Sequence, residues 1–143
     1  NPTVETLLAV AKAFGIGVNW LLTEWGSPVL LRRAADAHWA DEPAGRRRTL
    51  DQIHGTGQVT TALVELTGIR EVRPALPPGA LHHAYIVDGE VCVGPVEDQH
   101  TLGRGDFIRF AGDVPHVMRA TGEATAVVHL VTTVPQIQQF TPT

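Results

Sequence analysis

Gly105-Asp106-Phe107-Ile108-Arg109-Phe110-Ala111-Gly112-Asp113-Val114-Pro115-His116-Val117-Met118-Arg119-Ala120-Thr121-Gly122 is the stretch whose reading decides the fold. Gly105-Asp106 is a turn pair that feeds a short strand over Phe107 to Phe110. Ala111 to Pro115 form a second turn, and His116 to Arg119 start another strand that stops at Thr121-Gly122. Successive residues of a strand point to opposite faces, so His116 and Met118 share one. Asp106 and Asp113 sit where carboxylates bond nearby backbone N–H groups, and are read as turn-makers.

Working outward, the sequence is rich in punctuation. Its 143 residues include 14 Gly and 10 Pro, as expected of short strands joined by turns. A hydrophobic share of 43% against 18% charged is that of a globular domain with a real core. The formal charge of −4 argues against this stretch of chain gripping a nucleic-acid backbone. One cysteine, Cys92, lies in the apolar run Val91-Cys92-Val93 and is read as a buried, inert thiol with no disulfide partner. No apolar run approaches the roughly 20 residues of a membrane helix, and no signal peptide is present, which places the expected home in the cytoplasm.

At the start, Asn1-Pro2 is a helix-opening pair. Val4, Leu7, Leu8, Ala11 and Phe14 then follow helical spacing up to a stop at Gly15. A shorter helix is expected over Val18 to Glu24. Val29 to Arg33 reads as a strand and Ala34 to Gly45 as a polar loop. Arg46-Arg47-Arg48 is read as the solvated side of an edge strand. Val59 to Leu66 is ambiguous between a strand and a helical turn, with a short helix the preferred reading, and Ile69 to Leu76 reads as a strand. His82 to Asp88 and Glu90 to Gly94 are expected to form a hairpin turning on Asp88-Gly89. Leu102 to Phe110, His116 to Ala120 and Thr125 to Thr132 complete the strands.

Two resemblances follow. The run from Asn1 to Glu24 resembles the last two helices of the Xre-type helix-turn-helix domain, whose recognition helix would precede Asn1, so the chain is expected to be a piece of a longer protein. Gly105, Asp106, Pro115 and His116 resemble the second motif of the cupin family, and Leu76-Pro77-Pro78-Gly79 with Tyr85-Ile86-Val87-Asp88-Gly89-Glu90-Val91 resembles the surroundings of its first motif. Together they imply a mainly β fold, an antiparallel cupin barrel (double-stranded β-helix, or jelly roll) over residues 27–143 behind a helical remnant over 1–26.

A metal-dependent cupin supplies three histidines and a glutamate, which satisfy a divalent ion and leave an open position. Here the first motif departs from that pattern. Gly79 to Gly89 spans ten positions, too few for the His-x-His pair; His82 stands where the family has its glutamate, and His116 matches the second-motif histidine. His82 and His116 therefore remain open to three readings: polar groups of a small-molecule pocket, hydrogen-bonded structural residues, or a metal pair. The candidate effector pocket is His82, Ile86, His116 and Met118, and a divalent transition metal on His82 and His116 is the one cofactor considered. His129 is read as a satisfied core histidine or a lumen-facing one, and His100 as a solvent-facing loop residue.

The family implication is a transcription regulator. Its barrel would sense a small-molecule effector and dimerise, and operator DNA would be bound by helices outside this chain, with no base-reading residue inside it. The competing expectation is a metal-dependent cupin oxygenase or epoxidase.

Overall fold

A computed structural model describes residues 5, 6, 9 and 29–136. The expected helical domain therefore lies almost entirely outside the described residues; Glu5, Thr6 and Ala9, which fall within its first helix, are helical. From Val29 to Gln136 the regular structure is almost all strand: β1 (Ala40–Glu42), β2 (Gly45–His54), β3 (Gly57–Leu66), β4 (Val72–Arg73), β5 (Leu81–Asp88), β6 (Glu90–Pro95), β7 (His100–Gly103), β8 (Phe107–Ala111), β9 (His116–Ala120) and β10 (Ala126–Pro135). One sheet of six strands runs β1-β2-β3-β10-β5-β8, and a second of four runs β4-β9-β6-β7. The pairings are antiparallel. The fold is mainly β, as expected.

The inward faces are set by period-two alternation. On β3, Ala62, Val64 and Leu66 are buried and the residues between them are not. On β10 the same holds for Ala126, Val128 and Leu130, which stand opposite Leu66, Val64 and Ala62. Ile86 and Ala84 of β5 complete these layers, facing Val91, Val93, Met118 and Ala120 of the other sheet. Each large side chain buried there contributes about 1.5–3 kcal/mol.

Several expectations are corrected. Val59 to Leu66 is not a helix but part of a ten-residue strand flanked by β2 and β10. Its β-branched Val59, Thr60, Thr61 and Val64 fit a pleated surface, and the two neighbours satisfy its backbone. Val29 to Arg33 is not a strand; the segment lies along β2, where Arg32 Nε donates to the Leu50 carbonyl at 3.0 Å and Arg48 Nη2 to that of Arg33 at 3.2 Å. The polar loop over Ala34 to Gly45 contains the 3-10 turn Ala34–Asp36 and strand β1. Of Ile69 to Leu76 only Val72–Arg73 forms a strand, and Pro74, which has no N–H to pair, follows at once.

The Asp88-Gly89 step is not a hairpin turn. β5 pairs with β10 and β8, whereas β6 pairs with β9 and β7, so the chain crosses there from one sheet to the other. Gly89 makes the crossing at φ +83, and a Cβ on it would sit 2.9 Å from Ala126, a double reason for glycine. Asp106 does make its turn, its carboxylate accepting from the backbone N–H of Gly103 (2.8 Å), whereas the Asp113 carboxylate accepts from the backbone N–H of Gly79 (2.9 Å), 34 residues away, and ties two segments together. Cys92 is buried, and its thiol lies 3.3 Å from the side-chain Oε1 of Gln99.

Candidate functional site

The inward rows change character along the barrel. β3 passes from Leu66, Val64 and Ala62 to Thr60 and Gln58, and β10 from Val128 and Leu130 to Thr132. On β5 the row Ile86, Ala84 ends at His82, and on β9 Ala120 and Met118 end at His116. Register brings these polar ends together, with His82 opposite Thr132 and Thr132 opposite Thr60. In the second sheet His116 stands between Arg73 and Pro95.

His82 is 5% exposed and His116 2%. Their rings lie 4.8 Å apart, with Phe110 at 5.2 Å from His82 and 5.8 Å from His116. His116 Nδ1 is 2.8 Å from the Val114 carbonyl. A carbonyl only accepts, so this nitrogen carries hydrogen and Nε2 of the neutral ring keeps its lone pair. His82 Nδ1 is 2.9 Å from the Thr132 hydroxyl, and its Nε2 is buried with no hydrogen-bond partner. Gly112 makes room for this ring: a Cβ there would stand 3.0 Å from His82 Cδ2 and 3.2 Å from Nε2.

Burial, then the neighbouring His116, Arg47, Arg73 and His83, lowers the His82 pKa to about 4. Burial also lowers that of His116, with the Val114 hydrogen bond opposing and Arg73 adding to the drop. Both rings are neutral at physiological pH.

The rings line a cavity of about 430 Å³, within the range typical of small-molecule sites. Met118 and Leu130 supply apolar floor beside them, and Thr60, Thr132, Gln58 and Val134 a mixed wall. Leu76, Pro74 and Pro77, from the segment around β4, also line it. Charge is confined to Glu42, Arg47, Glu71 and Arg73. Arg47 Nε bonds Glu42 at 2.6 Å and Arg73 Nη2 reaches the same carboxylate at 3.4 Å, which ties the two sheets together across the site.

Of the four expected pocket residues, the structure brings His82, His116 and Met118 to this cavity. Ile86 is not among its lining residues; it is fully buried two layers deeper, in the hydrophobic core. His129 lies on the opposite face of β10 from buried Val128 and Leu130, so it does not point into the lumen. His100 is exposed as expected, though it opens β7 rather than sitting in a loop, 3.0 Å from the Asp98 carboxylate. The reading of Arg46 to Arg48 as a solvated edge misses Arg47, an inward residue of the cavity. Arg46 instead pairs with Glu65 at 2.9 Å over the Trp39 ring. The sequence also gave no notice of Arg73, which only the pairing of β4 with β9 brings beside His116.

Residues 71–133 match the family model of the cupin domain, Cupin_2. The barrel has the cupin fold. The HTH-type transcriptional regulator SutR of Escherichia coli is 35% identical over 51 residues, which are 36% of this chain; the chain spans only 29% of that relative's length. The cupin domain of an XRE family transcriptional regulator from Enterobacter cloacae superposes with TM-score 0.51 at 23% identity, over 54% of this chain and 82% of that one. An HTH_3 family transcriptional regulator from Vibrio cholerae gives 0.56 at 22%, over 94% and 73%. KdgF from Halomonas sp. gives 0.57 at 17%, over 73% and 93%. At such identities the structural likeness is one of fold.

The cupin fold raises the question of a metal, and the donor set answers it. His82 and His116 are two imidazoles, and among the described residues no group of three or more His, Cys, Asp or Glu is placed to hold an ion. Of the two carboxylates that line the cavity, Glu42 is already engaged by two arginines, and Glu71 forms no ligand group of three or more with the histidines. These residues do not fit a divalent transition metal, which takes at least three protein ligands. Among the described residues no helix is long and apolar enough to cross a membrane.

Proposed function

We propose that this chain is the sensing part of a transcription regulator, in which the cupin barrel binds a small-molecule effector and shifts the affinity of DNA-binding helices for an operator. The observation that carries the reading is the cavity at the polar end of the barrel, where His82 keeps an unpartnered buried nitrogen. A buried polar atom without a partner is costly, and a ligand that pairs with it stabilises the bound conformation. Differential affinity of this kind is what couples a sensor to its output. The partial identity to a helix-turn-helix regulator supports the same reading.

Tyr85, Val87 and Phe107 are exposed on β5 and the sheet-edge strand β8, which gives a homodimer a surface on which to form. Operator DNA is the proposed partner of the longer protein, and the cytoplasm its proposed place.

A thermal-shift screen of metabolites against the chain and its His82→Leu variant tests the proposal. The expected hit raises the melting temperature of the wild-type chain, loses that effect in the variant, and is recovered unchanged after prolonged incubation. Conversion of the hit to a product would replace the sensor reading with an enzyme.

A further inference from the structure

The charged side chains of the cavity do not cancel in place. Arg47 and Glu42 close a short pair, 2.6 Å, in which both partners are largely buried. Arg73 touches Glu42 only through Nη2 at 3.4 Å, and its Nε is buried with no hydrogen-bond partner. Glu71 lines the same cavity and has no ion pair among the described residues. Residues two apart in an extended segment point the same way, so Glu71 and Arg73 present their groups side by side. Once Glu42 and Arg47 are matched, one guanidinium with a spare donor and one carboxylate remain beside Leu76, Met118 and Leu130.

We propose that the cavity recognises a small zwitterion, an α-amino acid with an apolar side chain. Its carboxylate pairs with Arg73, which turns its unpaired N–H onto it, its ammonium pairs with Glu71 and donates to the unpartnered His82 Nε2, and its side chain lies over Met118 and Leu130. A simple carboxylic acid would leave Glu71 unmatched beside a second negative charge. A simple amine would leave the Arg73 donor unmade, and groups left unpaired in a partly buried site cost affinity. The inference rests on the sensor reading and specifies its ligand.

Calorimetric titration of the chain with L-valine, L-leucine and L-methionine, each beside its deaminated acid and its decarboxylated amine, tests it. The expected result is that at least one amino acid binds ten times or more tightly than both of its analogues. Glu71→Gln should abolish its advantage over the acid, and Arg73→Gln its advantage over the amine. Glu71→Gln alone keeps the test decisive if Arg73→Gln fails to fold. An acid or amine that binds as tightly as its parent amino acid overturns the inference. So do silent amino acids when the metabolite screen yields an uncharged hit, which leaves the sensor reading standing. If neither experiment detects a ligand, both readings fall.

Discussion

The two ends of the barrel are built from the same strands and do opposite things. At one end, the inward residues of β3, β5, β9 and β10 are Val64, Ile86, Ala120 and Val128, packed with no polar atom to satisfy. Two steps along the same strands stand Thr60, His82, His116 and Thr132, around a cavity. The first end meets the ordinary requirement of a core, apolar volume at close packing. The second keeps space, neutral imidazoles and an unpartnered nitrogen, features that folding alone does not select. Stability is therefore expected to reside in the first end and specificity in the second.

Substitutions separate the two ends most sharply where the core is cut. Ile86→Ala should cost about 2–5 kcal/mol of unfolding free energy, since a buried branched side chain leaves a cavity behind. Chemical denaturation reads this directly, and a loss below about 1 kcal/mol would show that the closed end is not the core. Gly89→Ala should cost more than about 1 kcal/mol in the same assay, because alanine meets both the positive φ and the Ala126 backbone at the sheet crossing. At the other end, His82→Leu should change stability at neutral pH by no more than about 1 kcal/mol, as the lost hydrogen bond to Thr132 is offset by removal of an unsatisfied nitrogen and retention of apolar volume. Gly112→Ala should be milder still: it moves the His82 ring by a few tenths of an ångström, with ligand affinity falling more than melting temperature.

The histidines also give the comparison a pH signature. In the unfolded chain His82 takes up a proton near its ordinary value of 6.5, whereas in the folded barrel it stays neutral down to about 4. The unfolded state therefore binds more protons within that window, and stability falls as pH drops from 6.5 toward 4. Above 6.5 both states are neutral and His82 contributes no slope. Denaturation midpoints of wild type and His82→Leu across this range should diverge, with the variant the flatter of the two. Parallel curves would show that the ring is solvated in the folded state.

How far the sequence carried these conclusions varied with position. The Gly105 to Gly122 stretch announced its strands and turns because glycine, proline and aspartate act locally there. His82, His116 and Met118 could be singled out for the same reason, being tied to short motifs. Ile86 was assigned to the pocket because a strand's period gives the face but not the depth along it. Arg47 and Arg73 were invisible as cavity residues, since each is placed by pairing with a distant strand. The Val59 to Leu66 segment was ambiguous between helix and strand in isolation and is a strand because β2 and β10 flank it. Asp88-Gly89 has the chemistry of a hairpin turn, and nothing local distinguishes a turn that stays in its sheet from one that leaves it.

The central claim is that the polar end of the barrel is a pocket for an organic ligand rather than a metal centre. Elemental analysis of the purified chain beside its His116→Ala variant tests this most directly. The account predicts less than a stoichiometric amount of any transition metal in both proteins. A metal present near one per chain in the wild type and lost in the variant would contradict it, and would make the two histidines the start of an enzyme's active site.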